Sequence, residues 1–322
     1  MIINDIIKAT IEALKDRPEI LHKILMAKDG NSGLTFLHYA ALNEKIEIIK
    51  TTIEALKESP NLLQKLLMAG NDSENTYLHY AALNGKSDII KTTIEALKVK
   101  HNNMLQNLLI AHDVTGLTFL HVAALEGEND VIKKTIDALK DRPDILHKLL
   151  MKVNFTERFT YLHWAIQSGN TEIINTTIDA LKVNHKNMLL DLLMFRPTVF
   201  KPSVLQIAGN KNTEIFETAI DAFRDSSDML EKMLMSWSSY GFTYLHWAAN
   251  EGNRDILKTT IDALKESPDL LKKILMARTD DGGTFLHGAA VPGKGHSGII
   301  KTTIDVLKVD HKSMLQKLLM AR

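Results

Sequence analysis

A tetrapeptide, Thr-(Phe/Tyr)-Leu-His, recurs at near-constant intervals along the 322 residues and restricts the fold more than any other feature. It stands at Thr35-Phe36-Leu37-His38, Thr76-Tyr77-Leu78-His79, Thr118-Phe119-Leu120-His121, Thr160-Tyr161-Leu162-His163, Thr243-Tyr244-Leu245-His246 and Thr284-Phe285-Leu286-His287. Ser203-Val204-Leu205-Gln206 is a decayed copy that fills the one gap. The seven fourth positions lie 40 to 43 residues apart. A fixed period of that size implies stacked units that bury one another's apolar faces, not a single globular core. On this ground a binding scaffold is favoured over an enzyme.

Each unit reads as three helices. Thr35 is a good N-cap, and the small pair Ala40-Ala41 lets a neighbouring helix approach closely. The turn at Asn43-Glu44-Lys45 has glycine in its equivalents Gly85, Gly127, Gly169, Gly252 and Gly293, as suits a helix C-terminus with positive φ. The second helix carries Ile49, Ile53 and Leu56 at i, i+4 and i+7. A break at Ser59-Pro60 starts the third helix, with proline in its first turn, and Pro18, Pro143 and Pro268 repeat this. In other units histidine (His101, His185 and His311) replaces the proline, one residue later, which marks this junction as a surface turn.

Composition narrows the function classes. Lys plus Arg equals Asp plus Glu at 39 each, so no net basic field draws in nucleic acid or acidic lipid. There is no cysteine, which excludes disulfides and thiolate metal sites. No apolar run reaches the ~18 residues of a membrane span, and the start has no basic leader. The expected location is therefore cytoplasmic, or a host cytosol after delivery.

Gly116-Leu117-Thr118-Phe119-Leu120-His121-Val122-Ala123-Ala124-Leu125-Glu126-Gly127, followed by Val131-Ile132, resembles the ankyrin repeat. The resemblance covers nearly the whole chain, with Phe or Tyr in place of the family's proline and units about eight residues longer than the usual 33. Such long units are similar to those of ankyrin proteins from intracellular bacteria. Three helices in ~42 residues also fit an armadillo or HEAT array, but the Thr-x-Leu-His and Ala-Ala-x-x-Gly signature favours ankyrin stacking. The expected architecture is an all-α, ankyrin-like helical solenoid over residues 1–322. It comprises a half-repeat at 1–30 and seven repeats, the degenerate one at about 195–237.

The evenly spaced histidines invite a metal or catalytic reading. Successive copies of a helix stand about 8–10 Å apart, whereas zinc needs ligands about 2 Å from one point. The resemblance implies instead that His38, His79, His121, His163, His246 and His287 bond within their own units to Thr35, Thr76, Thr118, Thr160, Thr243 and Thr284. Gly288 to Gly295 imitates a phosphate loop, but Gly295 stands where Ser or Thr should follow the lysine, and the segment is a helix-to-turn junction. Tyr39, Tyr80, Trp164 and Trp247, beside the Ala-Ala pairs, are expected in the inter-repeat core. Met26, Met68, Met151, Met194, Met235, Met276 and Met320 are expected there as gap fillers. No catalytic residue, cofactor or metal is expected.

The resemblance further implies partner binding through loop tips and the first-helix face. The position before each threonine holds Leu34, Asn75, Leu117, Phe159 and Phe242. The positions after Ala-Ala hold Leu42, Asn43, Leu83, Asn84, Leu125, Glu126, Gln167, Ser168, Asn250 and Glu251. These vary while the framework does not, as in a scaffold for a specific protein. Exposed leucine and phenylalanine here would form an apolar strip, unless they pack beneath the adjacent loop. Loss of Thr and His near Ser203 to Asn212 predicts a weak joint. Uncapped ends predict end-to-end self-association, and the array would serve equally as the recognition arm of a larger enzyme or toxin.

Overall fold

The computed structural model describes residues 2–198, 201–235, 240–290 and 297–320, with the side chains of 2–4, 309 and 310 excepted. Val199, Phe200, the glycine-lysine stretch from Val291 to His296 that includes Gly293, the Ile2 and Ile3 side chains and Ala321-Arg322 lie outside the described residues. The chain divides into two compact units, Met1–Ala180 and Leu181–Arg322.

In the first unit α1 (Ile2–Ala13) and α2 (Pro18–Leu25) precede three full repeats. These are α3 (Phe36–Leu42), α4 (Ile46–Ala55) and α5 (Pro60–Leu67); α6 (Tyr77–Leu83), α7 (Ser87–Leu97) and α8 (Asn102–Leu109); and α9 (Phe119–Glu126), α10 (Asn129–Leu139) and α11 (Pro143–Leu150). Helices α12 (Tyr161–Gln167) and α13 (Glu172–Leu181) follow. First helices stack on first helices, α3 on α6, α6 on α9 and α9 on α12, while α1, α4, α7 and α10 form a parallel row. The second unit holds α14 (Lys186–Met194), α15 (Val204–Lys211), α16 (Thr213–Phe223), α17 (Ser227–Leu234), α18 (Tyr244–Glu251), α19 (Arg254–Leu264), α20 (Pro268–Leu275), α21 (Phe285–Ala289), α22 (Ser297–Asp310) and α23 (Lys312–Leu319). Its rows are α15–α18–α21 and α16–α19–α22. Three helices per repeat are thus observed.

The local rules explain the breaks. Pro18, Pro60, Pro143 and Pro268 each open a third helix, where the missing N–H has no intrahelical partner to lose. His101, His185 and His311 occupy the corresponding N-cap position without a side-chain capping bond. The first-helix turn is left-handed at Gly85, Gly127, Gly169 and Gly252, and Glu44 adopts the same conformation at φ 53°.

The core lies between the rows. The motif aromatics Tyr77, Phe119, Tyr161, Tyr244 and Phe285 are buried, as are the motif leucines. Ile49, Ile90, Ile132 and Ile174 of the second helices are fully buried beside them. Each such side chain contributes about 1.5–3 kcal/mol by leaving water. Polar atoms in this layer are satisfied locally. Thr52, Thr93, Thr135 and Thr177 donate to the carbonyl one turn back at 2.7 to 2.9 Å. The Tyr77 and Tyr161 hydroxyls bond Thr93 and Thr177 at 3.0 and 2.9 Å.

Two expectations about the core fail. Tyr39 is 47 % exposed, and Tyr80, Trp164 and Trp247 are half-buried. The residue after the histidine points away from the row behind it, and the aromatic two places before the histidine fills the core instead. Met26, Met68, Met151, Met235 and Met276 are half-buried C-cap residues where the third helix leaves the core, Met194 is a half-buried last turn, and Met320 is exposed.

Candidate partner-binding surface

The loops ahead of each first helix are built on a single side chain. Asp29 Oδ1 accepts the Asn31 and Ser32 N–H groups at 3.1 and 2.7 Å. Asn71 Oδ1 accepts those of Ser73 and Asn75, and Asp113 Oδ1 those of Thr115 and Leu117. Asn154 Oδ1 accepts from the Phe159 N–H at 2.8 Å. These Asx-type turns set the loop before the threonine. Tyr39 donates its hydroxyl to Asp29 at 2.6 Å, and Asn71 donates to the Tyr80 hydroxyl at 3.0 Å, so these tyrosines prop the loop base. The Tyr39 bond is the main reason that the Asp29 carboxyl is held down at about 2. Two residues before the threonine the backbone is left-handed, whether the residue is Gly116 (φ 87°), Glu74 (φ 63°) or Arg158 (φ 57°).

Adjacent loops are stitched together. Val114 N–H donates to the Ser73 carbonyl, and Phe155 N–H to the Thr115 carbonyl, both at 3.2 Å. In the second unit Asp280 N–H donates to Tyr240 O at 3.1 Å.

The threonine–histidine pair is a capping box in which histidine replaces the usual Glu or Gln. The Thr35 N–H donates to His38 Nδ1 at 3.1 Å, and Thr76, Thr118, Thr160, Thr243 and Thr284 repeat the bond at 3.1 to 3.3 Å. An Nδ1 that accepts leaves the proton on Nε2. Where the outer nitrogen's bond is described, it crosses to the following repeat. His38 donates to Asn75 O at 2.8 Å, His79 to Leu117 O at 3.0 Å, His121 to Phe159 O at 3.1 Å and His246 to Gly283 O at 3.2 Å. The bonding is therefore not confined to one unit. Burial pushes His79 and His121 down to about 4, and lowers His38 and His246 for the same reason. With both nitrogens engaged, these four rings have no lone pair to offer a metal. Among the described residues no group of three His, Asp or Glu is placed to hold one.

The decayed copy keeps its box. Ser203 N–H donates to Gln206 Oε1 at 2.8 Å, and Gln206 N–H to Ser203 Oγ at 3.4 Å. The expected loss of local hydrogen bonds at Ser203 is thus corrected: Gln supplies the acceptor that histidine supplies elsewhere.

The expected binding residues separate into classes. Leu34 is buried beneath its own loop, 7 % exposed, and is removed from the surface. Asn75, Leu117 and Phe159 are half-buried, and their carbonyls receive the histidine of the preceding repeat. Phe159 also stacks on the His163 ring at 5.0 Å, and Phe242 meets His246 edge-on at 5.7 Å. Leu83 is 46 % exposed. Asn43, Asn84, Glu126, Gln167, Ser168, Phe242 and Glu251 are also exposed, while Leu42, Leu125 and Asn250 are half-buried. Sequence reasoning missed Val114 and Phe155, each 58 % exposed at a loop tip. Their signal was an apolar residue directly after the turn-forming Asp113 or Asn154. Between α6 and α9 a hollow of about 160 Å³ is lined by Asn75, His79, Tyr80, Leu83 and Val122.

A family model described as ankyrin repeats (three copies) matches residues 52–136. The chain is an ankyrin-repeat protein. The ankyrin repeat domain of Bcl-3 is 16 % identical, with a TM-score of 0.55 over 84 % of this chain and 100 % of that one. An ankyrin repeat protein from Leishmania major is 16 % identical, with a TM-score of 0.50 over 87 % of this chain and 80 % of that one. Identities this low speak to the fold alone. No curated protein sequence matches significantly. Ankyrin repeats form a protein–protein interaction domain, and among the described residues no helix is long and apolar enough to cross a membrane.

Proposed function

We propose that this ankyrin array is a non-catalytic scaffold that binds a partner protein across its first-helix face and loop tips. The observation that carries this reading is the hollow between α6 and α9, where Tyr80, Leu83 and Val122 present apolar surface beside fixed, hydrogen-bonded loops. Exposed Val114 and Phe155 extend it along the loop tips. Rigid loops lose little entropy on binding, and aromatic and aliphatic groups supply the contact energy. The similarity of the long repeats to those of intracellular-bacterial ankyrin proteins supports a setting inside a host cell.

The test compares affinity capture by the natural chain with capture by Leu83→Asp/Val122→Asp and by Val114→Asp/Phe155→Asp. These half-buried or exposed sites should change melting little. A specific partner retained by the natural chain and lost, by tenfold or more, from the variants is the expected result. Equal capture by equally folded variants would remove the reading.

A further inference from the structure

A second apolar surface lies away from the hollow, beside α1, α2 and α3. It is a groove of about 550 Å³ whose walls include Ile6, Ile24, Phe36, Tyr39, Ala40 and Ile48. The repeat itself provides a control. Ile6 aligns with Ile48, Ile89, Val131, Ile173, Ile215, Ile256 and Ile299, all at most 9 % exposed, yet Ile6 is 57 % exposed. Ile24 aligns with Leu66, Leu108, Leu149, Leu192, Met233 and Ile274, all at most 1 % exposed, yet Ile24 is 49 % exposed.

In the repeats that follow, a first helix stands before the second and third helices and stacks on the next first helix, as α3 does on α6 and α6 on α9. The groove continues that row one step beyond α3. What fits such a position is written six times in this chain: a Thr-capped helix of about two turns with Leu and Ala at i and i+4, as at Leu37 and Ala41, both at most 1 % exposed.

We propose that this groove is a docking slot for a short helix of another protein, one that carries the Leu-x-x-Ala-Ala face of a first ankyrin helix. The slot takes its partner as an added member of the first-helix row, through apolar contact and a small-residue close approach. It is independent of the surface around Leu83. An exposed pair of isoleucines next to an apolar groove supplies the driving area, and the stacked row fixes the orientation.

The probe is a fluorescein-labelled peptide with the sequence of Ser32–Lys45, titrated into the full chain and followed by anisotropy. Saturable binding is expected, at least tenfold weaker for the peptide carrying Leu37→Asp and for the protein carrying Ile24→Glu or Ile6→Glu. Hydrogen exchange should slow in α1 and α2 when the peptide binds. Circular dichroism of the two protein variants should match the natural chain, since both sites are already exposed. Absence of saturable binding, equal binding by Ile24→Glu and Ile6→Glu, or protection confined to other repeats would each overturn the proposal. So would a homodimer of the peptide-free chain that Ile24→Glu converts to monomer, because the slot would then belong to a second copy.

Discussion

The histidine of each motif performs two tasks that a sequence reader tends to assign to chemistry. Its Nδ1 closes the helix start and its Nε2 holds the next loop, so the ring must stay neutral. The unfolded chain takes up these protons near pH 6.5, whereas folded His79 and His121 do so only near 4. Between those values the unfolded state binds more protons, so stability is complete above about pH 6.5 and falls as the pH drops towards 4. Each ring accounts for up to roughly 3 kcal/mol over the whole window. Thermal melts from pH 7 to 4.5 should show this decline. In His79→Gln/His121→Gln the box survives, as it does natively at Gln206, but the titration is gone. That variant should start lower at pH 7, by about 1 kcal/mol per lost inter-repeat bond, and decline less. An equal decline would show that other groups control the acid limb. A smaller residue-scale effect concerns Arg158, left-handed at φ 57° where four other loops have glycine. Arg158→Gly should stabilise by roughly 0.5–1 kcal/mol, because relief of the Cβ clash exceeds the entropy that glycine adds to the unfolded chain. A lowered melting temperature would refute this.

At the level of helices, the instructive element is α15. Its Ala208-Gly209 stands where other repeats have Ala-Ala, and a Cβ at Gly209 would run into the Tyr244 hydroxyl. Tyr244 uses that space to donate to Leu205 O at 3.0 Å and to stack on Phe216 at 4.3 Å. Its counterparts Tyr77 and Tyr161 bond threonine in their own repeats instead. Gly209→Ala should therefore cost about 1–3 kcal/mol by overpacking, although alanine is the better helix former by about 1 kcal/mol. Tyr244→Phe in the same chain should recover most of the loss. A denaturant double-mutant cycle that gives no coupling would mean that the helix simply shifts. This element also marks the limit of legibility. Helix number, the proline and glycine breaks and the threonine caps were readable, because each follows from a local rule at a fixed position. The side of the first helix that faces solvent was not: Tyr39 and Trp164 read as core because aromatic residues beside Ala-Ala satisfy a packing argument in either orientation. Leu34 failed for the opposite reason, since a loop residue read as exposed is covered by a turn that Asp29 organises from five residues away.

Over the whole molecule, stability should follow neighbours, not a shared centre. In a repeat array it is close to a sum of terms for each repeat and each adjoining pair. Ile136 is buried in α10, and its replacement by alanine should cost about 2–5 kcal/mol locally. Single-tryptophan chains that retain Trp164 or Trp247 allow this to be read in each compact unit. The Trp164 transition should move to lower denaturant by clearly more than the Trp247 transition. Equal shifts would indicate all-or-none unfolding of the entire chain. Function divides in a similar way, with the hollow near Leu83 and the groove near Ile24 addressed by separate substitutions.

The bond from each imidazole to the carbonyl ahead of it gives the stack a direction. A module hands a proton donor to its successor and offers an acceptor to its predecessor, so a copied module arrives with both halves of the link. Ile48–Lys57 recurs unchanged as Ile89–Lys98, as tandem duplication would leave it. Such an array can lengthen or shorten by whole modules without stranding a buried polar atom, and lineages that carry it can vary their reach in steps of one period.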